Sequence, residues 1–139
     1  MRARLSALAV AVLALVGPAC AHHYRYQFPP AASPPVGLVE TGIASWYGPG
    51  YHGKRTSSGE RYDQDSLTAA HERWTFGTRV RVTFLTTGRS VVVRINDRFP
   101  NHKGRVIDLS RAAARQIGLI GPGTGRVRLE VVGGMSQGT

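Results

Sequence analysis

The chain has 139 residues, which is room for one domain, and its single cysteine excludes an intramolecular disulfide. Lysine and arginine outnumber aspartate and glutamate by 18 to 8, giving a formal net charge of +10. Such a charge favours an anionic partner, and a solvated basic surface is the alternative.

The first 19 residues have the composition of an export signal. Arg2 and Arg4 give a positive start, and residues 5–16 form a continuous run of apolar and small side chains. A run of about a dozen residues suits a signal peptide and is too short to span a bilayer. A buried N-terminal helix is the alternative, although no polar face marks this stretch. Because an export signal directs the protein out of the cytoplasm, nucleic acid is not an expected partner of its positive charge.

Cys20 follows this run, at the position of the acylated cysteine that becomes the N terminus of a mature bacterial lipoprotein. Gly17 and Pro18 are unusual before such a cysteine, and cleavage before His22 is the alternative. Removal of residues 1–19 leaves 16 basic and eight acidic residues, a net charge of about +8. We expect a protein of the cell envelope that a lipid on Cys20 anchors to a membrane. The expected membrane is the outer membrane, with the protein facing the periplasm.

Three regions follow this leader. Residues 21–38 contain two proline pairs and small residues, a composition that predicts a semi-extended linker. The folded domain is predicted over residues 39–132, and residues 133–139 are predicted to form a disordered tail.

The domain itself is predicted to consist of short strands and one helix. Residues 79–84 and 90–96 alternate polar and apolar side chains, and the turn at Gly88 predicts that they form a hairpin. Ser110 as N-cap and Gly118 after the last turn predict a helix over residues 111–117. Further strands are predicted at residues 42–47, 105–109 and 126–132. This pattern indicates a compact barrel.

Asp97 is the strongest catalytic candidate by position. It directly follows the apolar run at residues 91–95, and an acid at the rim of a buried strand can act as a proton donor. Arg94 and Arg98 beside it oppose that role, and hydrogen bonding to the backbone of the next loop is the structural alternative. Glu60 and His71 are weaker candidates for the site. The alternative for Glu60 is simple solvation, and the alternative for His71 is a buried histidine with satisfied hydrogen bonds.

No metal site and no cofactor are predicted. Thr75 stands where a zinc-binding H-E-x-x-H helix needs its second histidine after His71. Aromatic residues lie in or beside the polar clusters, as in a cleft that stacks sugar rings, and the barrel core is the alternative place for them. They are Trp46, Tyr47, Tyr51, Tyr62, Trp74 and Phe99.

Taken in order, these segments resemble the rare lipoprotein A family. The matching motifs are Gly42-x-Ala44-Ser45-Trp46-Tyr47-Gly48, His52-Gly53-x-x-Thr56-x-x-Gly59-Glu60, Thr68-Ala69-Ala70-His71, Gly77-Thr78-x-Val80-x-Val82, Asn96-Asp97-Arg98 and Asp108-Leu109-Ser110. The resemblance covers about residues 40–132. It implies a mainly β fold, a six-stranded double-psi β-barrel with one or two short helices, that acts on peptidoglycan glycan strands.

The implied activity is endolytic lytic transglycosylation, which cleaves the bond between N-acetylmuramic acid and N-acetylglucosamine and leaves 1,6-anhydro ends. Asp97 matches the catalytic acid of the family, Glu60 its second important carboxylate and His71 the neighbouring histidine. The implied substrate-binding residues are Trp46, Tyr47, Thr56 and Asp108, although Asp108 could instead help to cap the helix. A non-catalytic peptidoglycan-binding or expansin-like wall-loosening module is the alternative function.

Four positions depart from the family pattern and bear on the shape of the subsites and on the choice of substrate. Phe99 replaces the usual glycine after Asn-Asp-Arg, Trp74-Thr75 replaces Leu-Pro, and Ser58 replaces asparagine. Many relatives carry a C-terminal SPOR domain that binds glycan stripped of peptides. We expect none in this chain, so recruitment to the division septum does not follow.

Overall fold

The computed structural model describes residues 25–134. The predicted signal peptide, Cys20 and residues 135–139 of the predicted tail lie outside the described residues. The elements are β1 (Val39–Trp46), β2 (Thr68–Ala70), β3 (Arg79–Phe84), β4 (Ser90–Asp97), β5 (Arg105–Leu109), α1 (Arg111–Ile117) and β6 (Gly125–Gly133). Within residues 25–134, no helix combines the length and apolar character needed to cross a membrane.

The six strands close into a barrel in the order β1-β5-β2-β4-β3-β6. Closure gives every strand two hydrogen-bonded neighbours and removes exposed sheet edges. β1 pairs with β5 in parallel, as does β2 with β4, and the other neighbouring strands are antiparallel. The predicted fold class is confirmed, as is the predicted hairpin of β3 and β4.

Apolar side chains from alternate positions fill the barrel. On β3, β4 and β6 the buried residues alternate with more exposed ones, among them several arginines. Burial of a Val, Leu, Ile or Phe side chain contributes about 1.5–3 kcal/mol to stability, so this set dominates the core. Its members, each at most 5 % exposed, are Val80, Val82, Phe84, Val91, Val93, Ile95, Val127, Leu129 and Val131.

The helix begins and ends as the sequence predicts. Ser110 Oγ accepts a hydrogen bond from the backbone N–H of Ala113 at 3.2 Å, which satisfies a free donor of the first turn. Gly118, with φ of 82°, ends the helix in the left-handed conformation. Because Ser110 provides the cap, the capping role considered for Asp108 is not needed.

Three features go beyond the predicted elements. β2 has only three residues, all buried, so it lacks the alternation that marks the other strands. The linker region also contacts the barrel: Ala32 N–H donates to the Arg73 carbonyl at 2.8 Å, and Thr75 N–H donates to the Ala32 carbonyl at 2.9 Å. At the other end of the domain, β6 continues to Gly133, the first residue of the predicted tail.

The close approach of Gly125 to the core makes a testable prediction. A Cβ there would lie 2.8 Å from Phe84 Cζ and 3.1 Å from Leu119 Cδ1, so a buried ring must move. We expect Gly125→Ala to lower the free energy of unfolding by about 1–3 kcal/mol. Urea unfolding measures this, with Gly121→Ala as control because its Cβ would meet nothing within 4 Å. Equal stability of the two variants contradicts the close packing.

Candidate functional site

Four strands bring polar residues into one row. The strand register pairs Ser45 of β1 with Asp108 of β5, and Asp108 with Ala70 of β2. Ala70 is paired in turn with Asp97 of β4. Ala70 carries only a methyl group, so no large side chain separates the two carboxylates that flank it.

Both carboxylates line an open groove of about 500 Å³. A volume of this size is typical of sites for small ligands. The described residues contain no group of three or more His, Cys, Asp or Glu side chains that could hold a metal ion. Rings and cations make up most of the remaining lining: Trp46, Tyr47, Tyr51, Phe99, Lys54, Arg55, Arg98 and Arg105.

Asp97 is held in this groove by three hydrogen bonds. The Tyr47 hydroxyl donates to Oδ2 at 2.6 Å, and the backbone N–H groups of Ser57 and Arg98 donate to Oδ1 at 2.9 and 2.8 Å. The two acceptor positions of Oδ1 are therefore occupied, whereas Oδ2 keeps one. Oδ2 is the atom at which Asp97 can exchange a proton with a ligand. Asp97 therefore also has the structural role considered as the alternative, since its bond from the Arg98 N–H caps the loop after β4.

Tyr47 links the end of β1 to this acid. Its ring lies 4.4 Å from that of Tyr62 and 5.7 Å from that of Tyr51, centroid to centroid. Burial, and next the hydrogen bond to Asp97, raise the pKa of Tyr47 far above its usual range. The phenol therefore keeps its proton and remains a donor to the carboxylate.

Asp108 is the second carboxylate of the groove and is 9 % exposed. Ser45 Oγ donates to its Oδ1 at 2.8 Å, and the same hydroxyl accepts from Arg105 Nη2 at 2.6 Å. The pKa of Asp108 is raised above its usual range, mainly by burial and further by the charge of Asp97. The hydrogen bond from Ser45 and the charge of Arg105 oppose this increase. The guanidinium of Arg105 also lies over the ring of Phe99, 4.7 Å from its centroid.

Glu60 lies outside the lining of the groove. Arg94 Nη1 and Nη2 donate to its two oxygens at 2.7 and 3.0 Å, and Asn96 Nδ2 donates at 3.1 Å. Arg94 and Asn96 are alternate residues of β4 and share a face, whereas Asp97 projects from the other face. The bond from Arg94, then that from Asn96, lowers the pKa of Glu60. Glu60 is thus an ionised, paired group that ties its loop, which includes Ser57, to β4.

The imidazole of His71 is also outside the groove lining. It is buried and stacks on the ring of Trp74 at 3.9 Å, and its Nδ1 accepts the backbone N–H of Trp74 at 3.1 Å. Nε2 lies 3.7 Å from Glu40 Oε2. His71 reaches Asp97 through the backbone, since its N–H donates to the Asp97 carbonyl at 3.1 Å.

Thr56 uses its hydroxyl within its own loop. Oγ1 lies 2.9 Å from Ser58 Oγ and donates to the Glu60 carbonyl at 2.9 Å. Of the predicted site residues, the structure brings Trp46, Tyr47, Asp97 and Asp108 into the groove and places Thr56, Glu60 and His71 outside its lining. Three groups of the site were not predicted from the sequence: the Ser45 hydroxyl, the Arg105 guanidinium and the Ser57 N–H. Ser45 stands in one of the motifs that carry the family resemblance, whereas no local pattern marks the other two.

The sequence and the fold are both similar to known proteins. A family model described as lytic transglycolase matches residues 39–129. The chain is 58 % identical over 101 residues to a probable endolytic peptidoglycan transglycosylase RlpA of Synechocystis and 56 % identical over 98 residues to an endolytic peptidoglycan transglycosylase RlpA of Campylobacter jejuni. These matches cover 73 % and 70 % of this chain but 32 % and 36 % of the relatives. The chain therefore spans about a third of the length of these curated relatives.

Two solved structures share the fold at lower sequence identity. The Streptomyces papain inhibitor matches with a TM-score of 0.58 and 24 % identity, covering 71 % of this chain and 98 % of that chain. An expansin of Clavibacter michiganensis matches with a TM-score of 0.55 and 20 % identity, covering 73 % of this chain and 53 % of that chain. At these identities the likeness is one of fold.

The pairing of Glu60 predicts how stability depends on pH. Because its folded-state pKa is lowered, its contribution is fully present above the ordinary glutamate pKa of about 4.3 and is lost as pH falls through the folded value. Both side chains of the pair are nearly half exposed, so we expect a coupling energy with Arg94 of only about 0.5–1 kcal/mol at pH 7. A double-mutant cycle of Glu60→Gln and Arg94→Gln, followed by urea unfolding, measures it. A coupling energy that persists at pH 2 contradicts this assignment.

Proposed function

Because this chain belongs to the lytic transglycolase family, we propose that its barrel cleaves peptidoglycan glycan strands from within, as an endolytic lytic transglycosylase. The matched residues, 39–129, begin with β1 and end within β6. The observation that carries the proposal is the hydrogen bonding of Asp97 in the groove: backbone donors occupy Oδ1, whereas Oδ2 accepts only the Tyr47 hydroxyl and keeps one acceptor position.

The lining of the groove supports a glycan as the substrate. Rings of Trp46 and Tyr51 offer flat apolar surfaces on which pyranose faces can pack. Lys54 and Arg55 add positive charge beside them. Cations suit the carboxylates that peptidoglycan carries on its stem peptides, or on muramic acid where the stem has been removed.

The proposed reaction needs one acid and no water. Asp97 Oδ2 donates its proton to the glycosidic oxygen between N-acetylmuramic acid and N-acetylglucosamine as the bond from that oxygen to C1 breaks. The C6 hydroxyl of the same muramic acid bonds to C1, and its proton returns to Asp97. The products are a 1,6-anhydro ring and a free 4-hydroxyl. A hydrolase would need a second carboxylate to activate water, whereas an internal nucleophile does not.

The remaining predicted residues support the acid indirectly. Tyr47 orients Oδ2 through its hydroxyl. Glu60 acts as a positioning residue, since it ties to β4 the loop whose Ser57 N–H holds Oδ1. His71 holds the backbone of Asp97 through its own N–H.

The first test of the proposal is Asp97→Asn. An asparagine oxygen can still accept the two backbone hydrogen bonds, so the loop is preserved while the transferable proton is lost. We expect release of anhydro-ended fragments from sacculi to fall by at least about 100-fold. Mass spectrometry of the soluble products measures it.

The control for this test is Asp65→Asn, which removes an exposed carboxylate outside the groove lining and is expected to act like the wild type. Fragments with reducing muramic acid ends would make the protein a hydrolase instead. Binding to sacculi without any soluble product would favour the non-catalytic wall-binding alternative.

A second test addresses the orientation of the acid. Tyr47→Phe keeps the ring packing but removes the donor to Oδ2. Since the hydroxyl acts on the acid, we expect kcat to fall about tenfold with little change in KM. Steady-state rates on soluble glycan measure the two constants, and urea unfolding checks that the variant is folded. An unchanged kcat rules out this role for Tyr47.

A further inference from the structure

A second cavity lies beside the Asp97 groove. It has a volume of about 380 Å³ and shares Trp46, Tyr47 and Gly48 with the groove, so this segment separates the two spaces. The rest of its lining includes Tyr62, Gln64 and Arg111. The proposed cleavage step makes no use of this cavity.

Arg111 places an available positive charge at this cavity. Its side chain is exposed. The carboxylates that form ion pairs in residues 25–134 are Glu40, Glu60 and Glu130, and their partners are other residues. A guanidinium presents N–H donors in a planar fork that matches both oxygens of a carboxylate.

Two neighbours fix the shape of the cavity. The backbone of Gln64 is held by two hydrogen bonds. Its backbone N–H donates to His52 Nδ1 at 3.2 Å, and its backbone carbonyl accepts from the Ala112 N–H at 2.9 Å. Tyr62 is 4 % exposed, and its hydroxyl accepts the backbone N–H of Arg111 at 3.2 Å. The cavity therefore combines aromatic walls with one cation and with a glutamine whose backbone is held in place.

We propose that this cavity binds a carboxylate that the glycan strand carries on a short aliphatic arm. Arg111 pairs with the carboxylate, and Trp46 and Tyr62 pack against the arm. This inference rests on the proposed function, because a strand lying in the Asp97 groove has the cavity directly across Tyr47. In peptidoglycan such a carboxylate belongs to the lactyl group of muramic acid or to the stem peptide.

The consequence is selectivity between related polymers. A chitin strand has the same linkage and the same N-acetyl groups but carries no carboxylate. Arg111 would therefore make the barrel prefer peptidoglycan to a neutral glycan, and the aromatic walls alone would not.

The test measures binding in protein that carries Asp97→Asn, so that the glycan stays intact. Three probes are used: a chitin oligosaccharide, peptidoglycan glycan fragments that carry stem peptides, and the same fragments after an amidase has removed the stems. Arg111→Gln removes the charge and keeps polar donors. Arg115→Gln is the matched control, because it lies on the same helix, is exposed and is outside the cavity.

We expect Arg111→Gln to weaken binding of at least one peptidoglycan fragment about tenfold, with chitin binding unchanged and no effect of Arg115→Gln. The fragment that shows the loss identifies the carboxylate, on the stem or on the lactyl group. An equal loss for chitin, or no loss for either peptidoglycan fragment, overturns the proposal. If the selectivity is present but wild-type protein releases no anhydro ends from sacculi, the cavity assignment stands and the proposed cleavage fails.

Discussion

The site depends on how the Asp97 carboxylate is immobilised where two strands and a loop meet. The phenol of Tyr47, at the end of β1, holds one oxygen, and the N–H of Ser57 in the loop after β1 holds the other. The N–H of His71 holds the carbonyl of the same residue. Each donor comes from a different part of the chain, so the geometry of the acid exists only when the barrel is closed.

The barrel makes this meeting possible through its mixed strand pairing. β2 lies between β4 and β5, and its short, buried side chains let Asp97 and Asp108 flank Ala70. A larger side chain at Ala70 would separate the two acids or cover them. The alternating apolar residues of the longer strands stabilise this arrangement at a distance from the groove, so packing and chemistry use different positions of the same strands.

The two spaces beside Tyr47 have different electrostatic character. The groove contains both signs of charge, because Asp97 and Asp108 face arginines such as Arg98 and Arg105. The second cavity offers one cation and no carboxylate among its lining residues in the described part of the chain. Glu60 belongs to one of the family motifs, but its charge is neutralised by Arg94, which lies on the face of β4 opposite to Asp97. Position relative to the strand, not residue type alone, therefore decides which acid can act on a ligand.

Many features of this protein follow from local sequence patterns. Alternation predicted β3, and a serine and a glycine at the right spacing predicted the bounds of α1, because these signals are local. The ordered motifs predicted the family, which the family match confirms, and the exposed end of an apolar strand singled out Asp97. Tertiary structure decided the pairing of Ser45 with Asp108, the burial of His71 and the diversion of Glu60 to Arg94. Ser45 and Asp108 are 63 positions apart, Glu60 and Arg94 are 34 apart, and the burial of His71 depends on a loop packing over a strand. No local pattern records which strands become neighbours when the barrel closes.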